Sequence, residues 1–117
     1  MKNKVSFEGI GQTAATFFAA DGVKAGAVVK LSGDAAVAPC AAGEKFSGMA
    51  TTDAKDGCAG VQVRGFAVVD CADETVTAGY VSLTADGNGG VKKAGTGDAG
   101  AEHLVVSVDS GVATILM

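Results

Sequence analysis

Residues 46–70, FSGMATTDAKDGCAGVQVRGFAVVD, constrain the fold more than any other stretch of the chain. Two apolar runs, FSGMA and VQVRGFAVV, flank the polar turn segment TTDAKDG (residues 51–57), and the second run alternates. Successive side chains of a strand point to opposite faces, so Val61, Val63 and Gly65 are expected on one side with Gln62 and Arg64 on the other. The stretch predicts a central hairpin, and its neighbours must be strands that can pack against it.

The rest of the chain supplies such strands. TAATFFAA (residues 13–20) has four alanines that suit a helix, but its two Thr and two Phe favour a pleated surface, and it stops at the turn signal Asp21-Gly22. AVVKL (residues 27–31) ends at Ser32-Gly33-Asp34. AAVAPC (residues 35–40) is a short strand that Pro39 confines to an edge or an end. After the central stretch, CADET (residues 71–75) reads as a polar loop and DGNGG (residues 86–90) as a glycine-rich hairpin turn. LVVSVD (residues 104–109) and VATILM (residues 112–117), joined by Ser110-Gly111, form the clearest local hairpin. Residues 1–12, MKNKVSFEGIGQ, carry the least pattern and read as an extended arm.

Part of this pattern occurs twice. VKAGAV (residues 23–28) matches VTAGYV (residues 76–81) at an offset of 53, and each copy continues to a Leu, a Gly/Asp turn, a Val and an Ala-Gly. The two copies, residues 23–43 and 76–95, lie on either side of the central hairpin, and the Gly of each V-x-A-G-x-V is free to take positive φ in a turn. Composition agrees with many short strands. Eighteen glycines against one proline supply tight turns, while 48% hydrophobic residues with only 5% aromatics give a thin core of Ala and Val. The expected fold is all-β: one compact small barrel or sandwich of short antiparallel strands over residues 13–117, with an extended N-terminal arm.

The same residues narrow the chemistry. A net charge of −4 without clustered Lys and Arg argues against a nucleic-acid surface, and no apolar run reaches the roughly 18 residues of a membrane span. Glu8 and Gln12 interrupt what a secretory leader would need as its apolar core. The single histidine, His103, precedes a strand and reads as a solvated strand-entry residue, and no nucleophile is placed beside it by spacing. Asp53 and Asp56 flank a turn without the spacing of a calcium loop, and Cys40, Cys58 and Cys71 lack the paired spacing of a zinc site. Free buried thiols are expected, with no metal and no cofactor. Gly87-Asn88-Gly89-Gly90 is followed by no helix to hold a phosphate, and Lys92 and Lys93 follow a turn rather than occupy its tip as a carrier lysine would. Arg64, the only arginine, is a candidate for an inter-subunit or structural ion pair.

Residues 13–33 (TAATFFAADGVKAGAVVKLSG), 46–50 (FSGMA), 58–66 (CAGVQVRGF), 76–92 (VTAGYVSLTADGNGGVK) and 104–109 (LVVSVD) together carry a resemblance that spans nearly the whole chain. In these stretches the chain resembles the small head-decoration, or capsid cement, proteins of tailed bacteriophages. It implies a compact β-fold without enzymatic activity that glues neighbouring major capsid subunits on the capsid exterior. It also implies synthesis in the bacterial host cytoplasm and assembly as a homo-oligomer, a trimer being favoured. The arm, with Lys2, Lys4, Val5, Phe7 and Ile10, would be the capsid contact. The competing expectation is a secreted or surface β-domain that binds glycan or protein, with its cysteines partly oxidised.

Overall fold

The structure, a computed structural model, describes residues 11–117, so Lys2, Lys4, Val5, Phe7 and Ile10 lie outside the described residues. Among the described residues the chain is all strand, turn and loop. The first half contains β1 (Thr13–Ala19), β2 (Val28–Gly33), β3 (Ala36–Pro39), β4 (Gly48–Ala50) and β5 (Cys58–Arg64). They close into a barrel in the order β1-β3-β2-β4-β5. The ring is completed by a parallel pairing of β1 with β3 (Phe18 opposite Ala36, Ala19 opposite Val37), every other pairing being antiparallel. The second half contains β6 (Phe66–Asp70), β7 (Gly79–Ala85), β8 (Val91–Lys93), β9 (Ala101–Asp109) and β10 (Val112–Leu116), in a sheet of order β6-β10-β9-β7-β8.

Read from β3 and from β8, the two orders are β3-β2-β4-β5-β1 and β8-β7-β9-β10-β6, so each strand of the second sheet takes the place of the strand five earlier. Adding 53 to Thr13 and Gly48, the first residues of β1 and β4, gives Phe66 and Ala101, the first residues of β6 and β9. Closure differs between the halves. No β6–β8 ladder occurs among the described residues, and instead the Lys93 N–H donates to Oδ2 of Asp73 at 3.0 Å.

Local chemistry explains the turns. Asp56 and Gly57 both have positive φ between the mutually bonded Lys55 and Cys58, the two-residue hairpin geometry whose twist matches paired strands. Ser110 and Gly111 repeat it between β9 and β10. Asp86 holds the β7–β8 turn by accepting the N–H groups of Asn88 and Gly90 on Oδ1.

Two apolar clusters hold the layers. Val23, Val29, Val37, Ala50, Ala59 and Val61 fill the barrel. Val28, Cys40 and Phe46 on the barrel's outer side pack with Val69, Leu83, Val105 and Ile115 on the inner face of the second sheet. Val28 and Val29 therefore face different cores, and the start of β2 is buried on both sides while Leu31, Ser32 and Gly33 are exposed. Residues 41–47 seal the junction. Gly43 N–H donates to Ala85 O, Ala85 N–H to Glu44 O and Ala99 N–H to Gly43 O, while the buried Thr84 hydroxyl lies within 3.0 Å of Glu44 O and 2.6 Å of Ala99 O.

The expected central hairpin is only half formed. β4 pairs with β5 (Met49 opposite Gln62, Ala50 opposite Val61), but the alternating run breaks at Gly65, and β6 pairs with β10 in the other sheet. Gly65 has φ +96, and a Cβ there would lie 2.7 Å from the Gln12 Cα, so only glycine fits this corner. Gln62, expected on a polar face, is buried. Its amide nitrogen donates to Arg64 O at 3.0 Å and Phe66 O at 2.9 Å, and its oxygen accepts from Gln12 at 3.2 Å. One side chain thus clamps both ends of the corner. Replacing it by Leu removes both of these hydrogen bonds and is expected to cost about 1–3 kcal/mol, read as a lower urea midpoint. Gly65→Ala, which meets backbone, is expected to cost at least as much.

Candidate interaction face

The chemistry-bearing residues named from sequence do not converge. Arg64 is exposed at the end of β5, opposite Thr13, and has no carboxylate within ion-pair distance among the described residues. His103 is not the solvated residue expected. It is half-buried, its ring stacks on Phe46 with centroids 4.9 Å apart, and its Nδ1 lies 3.0 Å from Leu116 O. The imidazole is thereby used as a packing and hydrogen-bonding group between β9, β10 and the loop before β4.

Cys40, Cys58 and Cys71 are all free thiols, Cys40 and Cys71 buried and Cys58 half-buried. Burial, reinforced by the nearby Glu44 carboxylate, pushes the Cys40 thiol up to about 11, and burial also raises Cys71. A thiol so raised stays protonated and is a poor nucleophile. Cys58 opens onto a depression of about 650 Å³ lined also by Thr16, Thr52, Asp53 and Lys55. Two of the polar groups there are engaged in structure, since Asp53 Oδ1 accepts from Ala25 N–H and Thr52 Oγ1 from Gly60 N–H. Among the described residues no three His, Cys, Asp or Glu side chains form a metal-holding group.

Two further carboxylates, Glu44 and Asp73, hold loops in place. Glu44 pairs with Lys30 at 2.8 Å and accepts the Ala41 N–H, which holds its carboxyl below the ordinary range. Asp73 accepts from the Thr75 hydroxyl and N–H and from Lys93 N–H, and is lowered for the same reason.

What the fold does assemble is a surface. In β6 and β10, Ala67, Val69, Ala113 and Ile115 point into the core, so Phe66, Val68, Thr114 and Leu116 face outward. In β9, Val105 points inward and Leu104 outward, and Tyr80 on β7 stands opposite Leu104. The register sets Tyr80, Leu104, Leu116 and Phe66 in one row across four strands. A second row follows through a bulge in β9, with Val106 and Ser107 beside Thr114 and Val68. Tyr80 is 72% exposed, Val68 55% and Leu116 37%. The rows are bracketed by carboxylates: Glu102, opposite Ser82, on one side, and Asp70 and Asp109, on either side of Val112, on the other. Phe18 and Leu31, the exposed large apolar residues of the barrel, lie on separate strands and form no such row.

Sequence reading missed this face. Its signal is a strand such as LVVSVD, apolar at consecutive positions, which a sheet covered on one side only does not need. No family model matches the chain, and no curated protein matches it.

Two measurements check the electrostatics. A thiol reagent at pH 8 is expected to label Cys58 alone in the native protein and all three cysteines after denaturation. The lowered folded values of Asp73 and Glu44 add stability above the ordinary carboxylate range that is lost as pH falls through those values. The urea midpoint is thus expected to drop below about pH 4, and Asp73→Ala to be less stable at pH 7 with a shallower acid limb.

Proposed function

We propose that this protein is a non-enzymatic virion component that binds the outside of a phage capsid and stabilises contacts between major capsid subunits. The observation that supports the reading is the outer face of the second sheet, where Tyr80, Val68 and Leu116 are exposed in adjoining rows, since exposed apolar patches are commonly used for protein contacts. The resemblance over residues 13–33, 46–50, 58–66, 76–92 and 104–109 supplies the kind of partner.

A core dominated by Val and Ala suits this role, because binding energy from a shell adds to the stability of whatever state it holds. Under this reading Lys2, Lys4, Val5, Phe7 and Ile10 contact the shell. Copies of the chain associate, as trimers, with Arg64 offering a cation to a carboxylate of a sister copy.

Co-sedimentation with expanded capsids from the phage that encodes the chain tests the proposal. Saturable binding that raises the capsid's resistance to heat is expected, and failure of the intact chain to sediment with capsids overturns the reading. Because Gln12 is bonded to Gln62, the arm is tested by removing residues 2–10 only. That deletion is expected to weaken capsid binding at least tenfold, and unchanged binding removes the arm from the mechanism.

A further inference from the structure

We infer that the outer face of the second sheet docks a protein surface that is apolar at its centre and basic at its rim. This deepens the capsid reading and rests on it for the identity of the natural partner. The argument begins with the distribution of charge. Residues 66–117 carry seven carboxylates against two lysines, whereas residues 11–65 carry five of each sign. The chain's negative charge is therefore concentrated in the half that also carries the apolar rows, and three of the seven carboxylates, Asp70, Glu102 and Asp109, stand on its strands.

On the face itself the segregation is sharper. Tyr80, Leu104, Leu116 and Val68 occupy the middle, and Glu102, Asp70 and Asp109 flank them, all three exposed. The two lysines of this half, Lys92 and Lys93, are on β8, away from the rows, while Lys24 of the barrel half lines a depression beside Val68 and Asp70, leaving Glu102 and Asp109 as the rim carboxylates away from that cation. Lys92 lies 3.9 Å from Asp98, and the Lys93 backbone is tied to Asp73.

This arrangement selects among occupants. A second copy applied face to face would set carboxylates against carboxylates around an apolar centre, and like charges across an interface disfavour that pairing. Nucleic acid is repelled by the same groups. A surface with Lys or Arg placed around apolar side chains satisfies both parts at once: the centre excludes water, and the rim pairs steer the encounter and fix its register. Tyr80 is suited to the centre, since its ring offers large contact area and its hydroxyl a polar end.

The test uses the full chain and two probes. The first is a pair of immobilised peptides of 12 residues, one alternating Val and Lys, the other alternating Val and Glu. The second is the expanded capsid of the encoding phage. The intact chain is expected to bind the lysine peptide at least tenfold more tightly than the glutamate peptide. Tyr80→Ser and Leu104→Ser are each expected to reduce that binding at least fivefold, and Glu102→Lys combined with Asp109→Lys to reverse the preference. Tyr80→Ser removes an exposed side chain, and an unchanged thermal transition shows that the fold is retained.

Equal binding of the two peptides, or binding unaffected by these variants, overturns the inference. So does an oligomer in sedimentation equilibrium that Tyr80→Ser dissolves, which would place a second copy on the face. A tenfold gain in peptide binding on removing residues 2–10 overturns it as well, placing the chain's own first residues there. Capsid binding that persists in the face variants sinks the inference but leaves the capsid reading intact. Face-dependent peptide binding by a chain that ignores capsids does the reverse.

Discussion

Burial of the barrel's outer side beneath the second sheet is the interaction on which the rest of the structure depends. The side chains available are small, with Leu83, Ile115 and Phe46 the large members among Val, Ala and Cys. The barrel keeps a small cluster of Val and Ala of its own, while the larger cluster is shared, with Val28, Cys40 and Phe46 of the first half completing the core of the second. The hydrophobic contribution scales with apolar area removed from water, and a thin strand yields most when both of its faces are covered. β2 shows the consequence, with Val29 inside the barrel and Val28 against the second sheet. The shared layer therefore fixes how far apart the halves sit, and its small residues demand close approach.

Close approach explains the glycines and the polar seal. At Gly43 a Cβ would lie 2.7 Å from Oδ1 of Asp98, and at Gly87 3.1 Å from the Ala42 nitrogen, so the two halves meet there without room for a side chain. The 41–47 loop brings its own polar groups into the junction and must satisfy them there. Its hydrogen bonds to Ala85 and Ala99, with the Thr84 hydroxyl between two carbonyls, do so by extending the β7 ladder across the boundary between the halves. Gln62 performs the equivalent service at the Gly65 corner. In both places a polar side chain is kept where backbone carbonyls meet away from water, and an unsatisfied carbonyl would cost more than the amide or hydroxyl that meets it.

The outer face of the second sheet stands apart from this economy. Its inner face is committed to the shared core, yet Tyr80, Leu104, Leu116 and Val68 make the opposite face apolar too. A sheet solvated on one side alternates apolar and polar residues, and β9 does not: Leu104, Val105 and Val106 are consecutive. Nothing in the shared core requires Leu104 or Tyr80. Their presence, framed by carboxylates, is a property of the surface, and it makes this face the place where a functional account of the chain has to begin.

Strand existence, most turns and the all-β class were legible in the sequence because they are set locally. Asp56-Gly57 and Ser110-Gly111 adopt positive φ in two-residue turns, and Thr and Phe in residues 13–20 prefer the pleat. The offset of 53 was visible in residues 23–28 and 76–81, though only the structure lays ten strands in two equivalent orders. Sequence did not show that the run through Gly65 divides between two sheets, that Gln62 is buried, that His103 stacks on Phe46, or that one row of outward side chains crosses four strands. Alternation reports the two faces of a strand but carries no label for what covers each one. Which face is core, which is junction and which is left open depends on residues distant in the sequence, as Phe46 is from His103, and only their packing decides it.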